Sequence, residues 1–243
     1  MKLQLKADLH THTLASGHAY STPQEMACAA YKAGLEIIAL TDHGINMPGS
    51  PHLWFFTNMD ALPRVMEGVT VLRGTEANII GLDGKMDMSN GVLRQLDICV
   101  ASVHGPLIES GTVEENTRAY CAVLENPYVD ILGHSGNPNF LYDLDTVIGL
   151  AKEKNKIIEI NEHTFVVRPD NVARCVEIAK KCKELGVYIA VNTDAHVSYD
   201  VGRVPNVERM LSELDFPQEL ILNLSAGRVM EYLNQRPGRE KIE

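Results

Sequence analysis

Seven short, β-branched apolar runs recur along the 243 residues, at Leu5–Leu9, Ile37–Leu40, Val69–Leu72, Ile98–Val103, Val129–Leu132, Ile157–Ile160 and Val187–Val191. Runs of this length, apolar at nearly every position, suit strands buried on both faces of a parallel sheet. Helix patterns lie between most of them. Thr22, Pro23 and Glu25 supply an N-cap, a first-turn proline and a capping-box acid, and Gly34 ends the same helix. Asp170 similarly opens a helix in which Val172, Cys175, Ala179 and Cys182 recur at three to four residues, and Gly186 closes it. This alternation predicts an α/β fold of about seven βα units closed into a TIM-like barrel, one domain over residues 1–243. The excursion Ile45–Gly68 is expected to fold over the barrel mouth, and Gln235–Glu243 to be a frayed tail.

Composition narrows the function. No run approaches ~18 consecutive apolar residues, so no membrane-spanning helix is expected. A candidate ligand at residue 10 leaves no room for a secretory signal. Cys28, Cys99, Cys121, Cys175 and Cys182 are odd in number and lack CxxC spacing, which reads as reduced core cysteines in a cytoplasmic protein. A net charge of −10 disfavours nucleic acid as a partner, since long polyanions need a basic face.

Just beyond the strands stand nine groups able to bind a metal: His10, His12, His18, His43, Glu76, His104, His134, Asp194 and His196. In a parallel barrel every strand opens its C-terminal end at one mouth, so these groups should converge. A period-two reading puts Asp8, His10 and His12 on one face, and pairs Asp194 with His196. Imidazole and carboxylate suit Zn2+, Mn2+ or Fe2+, and no cysteine stands near for a thiolate site. At three to four protein ligands apiece the set suits two or three ions, with the two-oxygen Glu76 as bridge. Three divalent ions would leave the mouth cationic after Glu76 and Asp194 are counted, and phosphate is the natural guest. The expected chemistry is in-line attack on phosphorus by a metal-bridging hydroxide, with Glu76 and Asp194 as the carboxylates that hold the ions. Asp8 and Asp42 are expected to orient ligand histidines.

Each residue also has a plainer reading. A lone histidine after a strand is usually a polar loop residue, and it is the repetition at equivalent places that argues for a site. His52, beside Trp54, Phe55 and Phe56, fits a solvent-edge or lid residue, and the aromatics fit a cover for the core edge. His163 is a candidate substrate contact or ligand support. Glu159 and Asn161 read as a hydrogen-bonded polar layer inside the barrel. Arg203 could fork onto a phosphate oxygen, although an exposed arginine is the ordinary alternative. Ser135, Gly136 and Asn137 could add donors after His134.

The ordered set "DLHTHT", "SGHAYST", "TDHG", "GTEAN", "VHG", "GHSGNP" and "NTDAH" resembles the PHP superfamily, named for polymerase and histidinol phosphatase, and most closely its small stand-alone YcdX-like phosphatases. The resemblance covers nearly the whole chain. It implies a distorted seven-stranded (β/α)7 barrel with three divalent ions, usually zinc. Carried onto this sequence, His10, His12, Glu76 and Asp194 would hold one ion and His18, His43 and His196 a second. Glu76 would bridge to a third, held by His104 and His134. The implied function is a phosphatase acting on small phosphomonoesters, and the relatives suggest a homo-oligomer. Rival readings are a histidinol-phosphate phosphatase, which needs an acid for the substrate's ammonium group, a PHP-type 3′-5′ exonuclease, which needs a basic track, and a noncatalytic metal-binding module.

Overall fold

A computed structural model describes residues 2–242. Its strands are β1 (Ala7–Thr11), β2 (Ile37–Leu40), β3 (Val65–Met66), β4 (Val69–Ile79), β5 (Ile98–Val103), β6 (Ile131–Leu132), β7 (Ile157–Asn161) and β8 (Ile189–Asn192). All but β3 run parallel, in the order β1-β2-β4-β5-β6-β7-β8. The helices are α1 (Pro23–Lys32), α2 (Leu53–Thr57), α3 (Asn90–Leu93), α4 (Val113–Glu125), α5 (Leu144–Glu153), α6 (Glu162–Val167), α7 (Val172–Leu185), α8 (Pro205–Glu213) and α9 (Ala226–Asn234). None is long and apolar enough to cross a membrane.

Alternation along the strands sorts two cores. Ile38, Leu40, Val71, Cys99, Ala101, Ile158 and Ile160 pack with the surrounding helices, while Ile37, Ala39, Leu72, Ile98, Val100 and Ile157 pack with Leu222, Val229 and Leu233 of the α9 region. The seam between β1 and β8 is closed by the Asp194 N–H to the His10 carbonyl at 2.9 Å and by the His12 N–H to the Ala195 carbonyl at 2.9 Å. Lower down, Asn223 stitches the same seam by donating to the carbonyls of Ala7 (2.8 Å) and Val191 (2.6 Å).

Local signals hold for α1, where Thr22 and Glu25 form the reciprocal capping box and Pro23 opens the helix. Gly186 ends α7 at φ 66, as a left-handed C-cap requires. Asp170 does not open that helix. It falls in the 3-10 turn Pro169–Asn171, and the N-cap is Asn171. Nor does Ile45–Gly68 lie wholly over the mouth. Met47 reaches it, but the segment then descends through α2 to β3, which pairs antiparallel with the start of β4. The tail is also ordered up to Ile242, Glu243 lying outside the described residues. Arg236 and Arg239 bond Asp130 at 2.5 and 2.8 Å, and Ile242 is buried. Two cations reaching a buried carboxylate from more than a hundred residues away leave no local trace in the sequence.

Candidate metal centre

The nine sequence-predicted groups converge at the C-terminal mouth. His10, His12, Glu76 and Asp194 are buried at 0–1% exposure, His43, His104 and His134 lie slightly higher, and His18 is exposed at the rim. Glu76 projects from the second half of β4, which pairs with β5, while the first half pairs with β2. Its long polar continuation, Gly74–Ile79, extends the strand well past the apolar run. His18 is delivered by Gly17, whose φ of 76 lets the chain turn and whose missing Cβ leaves room for the Gly49 carbonyl. At Gly133 a Cβ would stand 2.2 Å from the Ser102 hydroxyl, so only glycine admits the backbone that presents His134. Asp194 itself sits at φ 54, a left-handed conformation that non-glycine residues hold only where the surroundings enforce it.

The imidazoles are fixed by their Nδ1 atoms. His10 Nδ1 bonds Glu159 at 2.7 Å, and His196 Nδ1 bonds the Asp194 carbonyl at 2.8 Å. His104 Nδ1 meets Asn78 Oδ1 at 2.8 Å, while the Asn78 amide donates to Asp87 and to the Gly44 carbonyl, which leaves Oδ1 as the acceptor. His12 Nδ1 meets the Ser16 hydroxyl at 3.1 Å, and that hydroxyl donates to Asp42. In each case Nδ1 is held by an acceptor and Nε2 faces the centre, the orientation a metal ligand needs. Against burial, Glu159, Glu76 and Asp194 hold the His10 ring protonated well above its usual value, so its Nε2 would give up a proton on binding a metal. Asp42 therefore orients His12 through Ser16. Asp8 does otherwise: a register shift in β1 between Asp8 and Thr11 breaks the period-two parity. Asp8 turns to Thr193 and Gly202, while His10 reaches Glu159.

The inward atoms crowd one another. His12 Nε2 lies 3.2 Å from His10 Nε2 and 3.0 Å from Asp194 Oδ1. His18 Nε2 lies 3.3 Å from His43 Nε2 and 3.1 Å from His196 Nε2, and Glu76 Oε1 lies 2.8 Å from His134 Nε2 and 3.4 Å from His104 Nε2. His43 Nδ1 approaches Glu76 Oε2 to 2.6 Å, yet neither atom has a hydrogen bond of proper direction. Glu76 Oε2, Asp194 Oδ1, His43 Nδ1 and His104 Nε2 are all buried without a hydrogen-bond partner. Unpaired buried polar atoms are costly, and four on one centre fit divalent cations as the missing partner. The overlapping trios His10–His12–Glu76, His43–Glu76–His104 and His12–His43–His196 have the required proximity.

Charge completes the fit. Burial alone would push the Glu76 carboxyl up, but the imidazoles of His104, His10 and His43 hold it well below the usual range. Asp194 is likewise held low against burial, by His10 and His12. Burial, reinforced by neighbouring imidazoles, lowers His12 and His18, which keeps them neutral and ready for a cation.

Above the histidines the mouth opens into a cavity of about 410 Å3 walled by Tyr20, Met47, His163, Val167 and Arg168. His163 stacks on His196 at 5.3 Å between ring centres. His52 is away from this wall, accepting from the Trp54 N–H at the start of α2. Arg203 is exposed, its guanidinium near the Tyr199 carbonyl, and it is not brought to the mouth. Arg168 is, with Nη1 buried, unpartnered and 3.8 Å from Asp194 Oδ2. Ser135 turns to Tyr142, and Asn137 caps a 3-10 turn. Sequence reasoning passed over Arg168 and Asn78. Asn78 was findable, being two residues beyond Glu76 on the same strand face.

An α/β barrel with a histidine- and carboxylate-lined centre at its C-terminal mouth has the ligand types and spacing that suit divalent metal ions. The chain belongs to the PHP domain family, whose sequence profile matches residues 8–193. It is 47% identical over 236 residues to a protein of Thermoanaerobacter sp. strain X514 named "probable phosphatase", covering 96% of each chain. It is 46% identical over 237 residues to a protein of the same name from Acetivibrio thermocellus, covering 98% of each. The fold resembles the histidinol phosphate phosphatase of Lactococcus lactis, solved with zinc, L-histidinol and phosphate, at a TM-score of 0.62 and 18% identity over 88% of this chain and 93% of that one.

Proposed function

We propose that this protein is a metal-dependent phosphatase hydrolysing small phosphomonoesters at a centre of three divalent ions, with zinc the resident metal. The observation that carries the reading is the set of four buried, unpartnered donor atoms beneath an open mouth. His10, His12, Glu76 and Asp194 would hold one ion, His18, His43 and His196 a second, and His104 and His134 a third shared through Glu76. The short approaches within each group favour that division, and the 2.6 Å approach of His43 Nδ1 to Glu76 Oε2 links the second group to the shared carboxylate. Ions bound there would supply a water nucleophile at neutral pH and Lewis-acid polarisation of the phosphoryl oxygens.

The remaining work falls to the chain itself. Arg168, which lines the mouth where Arg203 does not, is the arginine that could fork onto phosphate oxygens, with its Nη1 buried beneath at 3.8 Å from Asp194 Oδ2. Asn161 donates to Asp194 Oδ2 at 3.2 Å and to Glu159 at 3.1 Å, which steadies one carboxylate ligand and the support of His10 together. The relatives' names and the zinc, L-histidinol and phosphate of the L. lactis protein favour the same chemistry. Five unpaired cysteines favour a reducing, cytoplasmic setting. An exonuclease reading is disfavoured because Arg168 is the one lysine or arginine lining the mouth among the described residues, and the chain carries a net charge of −10.

The test is removal of metal with a chelator followed by restoration with Zn2+, Mn2+ or Fe2+, scored on a phosphomonoester panel beside labelled single-stranded oligonucleotides. Phosphomonoester hydrolysis should vanish and return with the metal. Faster release of nucleotides than of phosphate from small esters would move the assignment to nuclease, and no turnover with any metal would leave a binding module.

A further inference from the structure

The wall above the metal-binding floor is uneven in its chemistry. Tyr20, Met47 and Val167 come from the connections after β1, β2 and β7, and present a phenol ring, a thioether and an isopropyl group to the cavity. Tyr20 is 74% exposed and Val167 50%, so apolar surface stands open around the place where an ester's alcohol part must lie. The charged side chain in the wall is Arg168. Among the described residues no carboxylate lines the open volume: Glu76 and Asp194 lie under the histidine rings at 0% and 1% exposure. Asp200 is near enough to act on the His163 ring, but it sits in the 3-10 turn Ser198–Asp200, outside the wall.

Resting on the phosphatase reading, we infer that this mouth selects phosphomonoesters whose alcohol part is uncharged and apolar, and discriminates against those carrying an ammonium group. A phosphate held by the floor and Arg168 places its alcohol carbons against Tyr20, Met47 and Val167. A neutral skeleton gains contact there with no charge to satisfy. An ammonium group in the same position loses water, finds no carboxylate in the wall and lies near a guanidinium of like charge, each of which is unfavourable. Histidinol phosphate, with its ammonium one carbon from the ester methylene, is a poor match for such a wall. Tyr20 is the one element that could favour a cation, through the face of its ring, and the test must let it do so.

Phosphocholine and 3,3-dimethylbutyl phosphate have the same shape and differ in whether the branched centre is N+ or carbon. For the zinc-loaded enzyme, kcat/KM should favour the neutral ester by at least about tenfold, although choline is the better leaving group. Calorimetric binding of the two corresponding phosphonates should show the same order. Val167→Glu, which sets a carboxylate on the wall, should shrink or invert the ratio in both measurements, with metal content confirming that the variant is folded. Equal or better binding and turnover of the cationic compounds by the wild-type protein overturns the inference and makes Tyr20 a cation platform. If neither ester is hydrolysed, the phosphomonoester panel decides the phosphatase reading, and the ranking of the two phosphonates still decides the selectivity.

Discussion

The two ends of the barrel both bury charge, and they satisfy it in opposite ways. At the lower end Asp130 accepts from the Cys99 N–H at 2.8 Å, from Arg236 at 2.5 Å and from Arg239 at 2.8 Å. Asp97 beside it takes Arg64 and the Arg73 N–H. The unpartnered buried atoms there are Nε donors of Arg73 and Arg239, which cannot hold a cation. At the mouth the unpartnered atoms include carboxylate oxygens of Glu76 and Asp194, aimed with imidazoles at a common space. Burial of charge alone therefore does not mark the functional end; lone pairs left without a protein partner do.

The sharpest way to break this contrast is Glu76→Gln, which keeps the shape and removes the charge. Metal content and turnover should fall together, turnover on the order of a thousandfold, because on the proposed reading the residue serves ions rather than a protein cation. Elemental analysis with unchanged metal content would remove its bridging role. At the other end Asp130→Asn should cost about 3–5 kcal/mol of unfolding free energy by stranding two arginines, while the folded fraction keeps its metal and its kcat. Denaturant titration beside metal analysis checks both, and metal loss without a stability loss would dissolve the division between the ends.

The same division explains what was legible in the sequence. Strand positions, the α1 capping box, the Gly186 stop and the nine converging groups all rest on local periodicity or on the rule that parallel strands open at one end, and these could be read. Arrangements set by tertiary pairing could not. The tail looked frayed because Asp130, the partner of Arg236 and Arg239, lies far away in the chain. Arg203 drew attention through its nearness in sequence to the last ligands, whereas Arg168 reaches the mouth from the end of α6. Asp8 was assigned to the wrong partners because a one-residue register shift in β1 leaves no compositional sign.

Asp8 sharpens the contrast from a third environment, one with neither arginine nor converging imidazoles at bonding distance. It accepts only from neutral donors, the Thr193 hydroxyl and N–H and the Gly202 N–H, and burial pushes its carboxyl from 3.8 up to about 6. A folded-state pKa above the unfolded value means that the native protein holds the proton more tightly. The stabilisation is thus complete below pH 3.8 and is lost as pH rises through about 6, an effect of about 3 kcal/mol at full extent. Unfolding free energies of metal-free protein between pH 4 and 6.5 should carry this downward slope, and Asp8→Asn should flatten it. Equal slopes in the two proteins would mean that Asp8 titrates normally.

The smallest effect expected belongs to the arginine at the mouth. On the proposed reading Arg168 would contribute a fork to the phosphate and no metal ligand, so Arg168→Ala should raise KM for a small phosphomonoester by about tenfold, the worth of one partly exposed charge-assisted hydrogen bond, with metal content unchanged. Its Nη1 stands 3.8 Å from Asp194 Oδ2, so the same substitution relaxes a charge beside one ligand. Arg168→Lys separates the two roles, because it keeps the charge near Asp194 and loses the planar fork. If the fork matters, the lysine variant should recover only part of the KM. Full recovery would assign Arg168 to charge alone. Arg203→Ala, exposed and turned to the Tyr199 carbonyl, serves as the matched control and should leave KM within about twofold of wild type. A larger change at Arg203 than at Arg168 would return phosphate binding to Arg203, the candidate that the sequence offered beside the plainer reading of an exposed arginine.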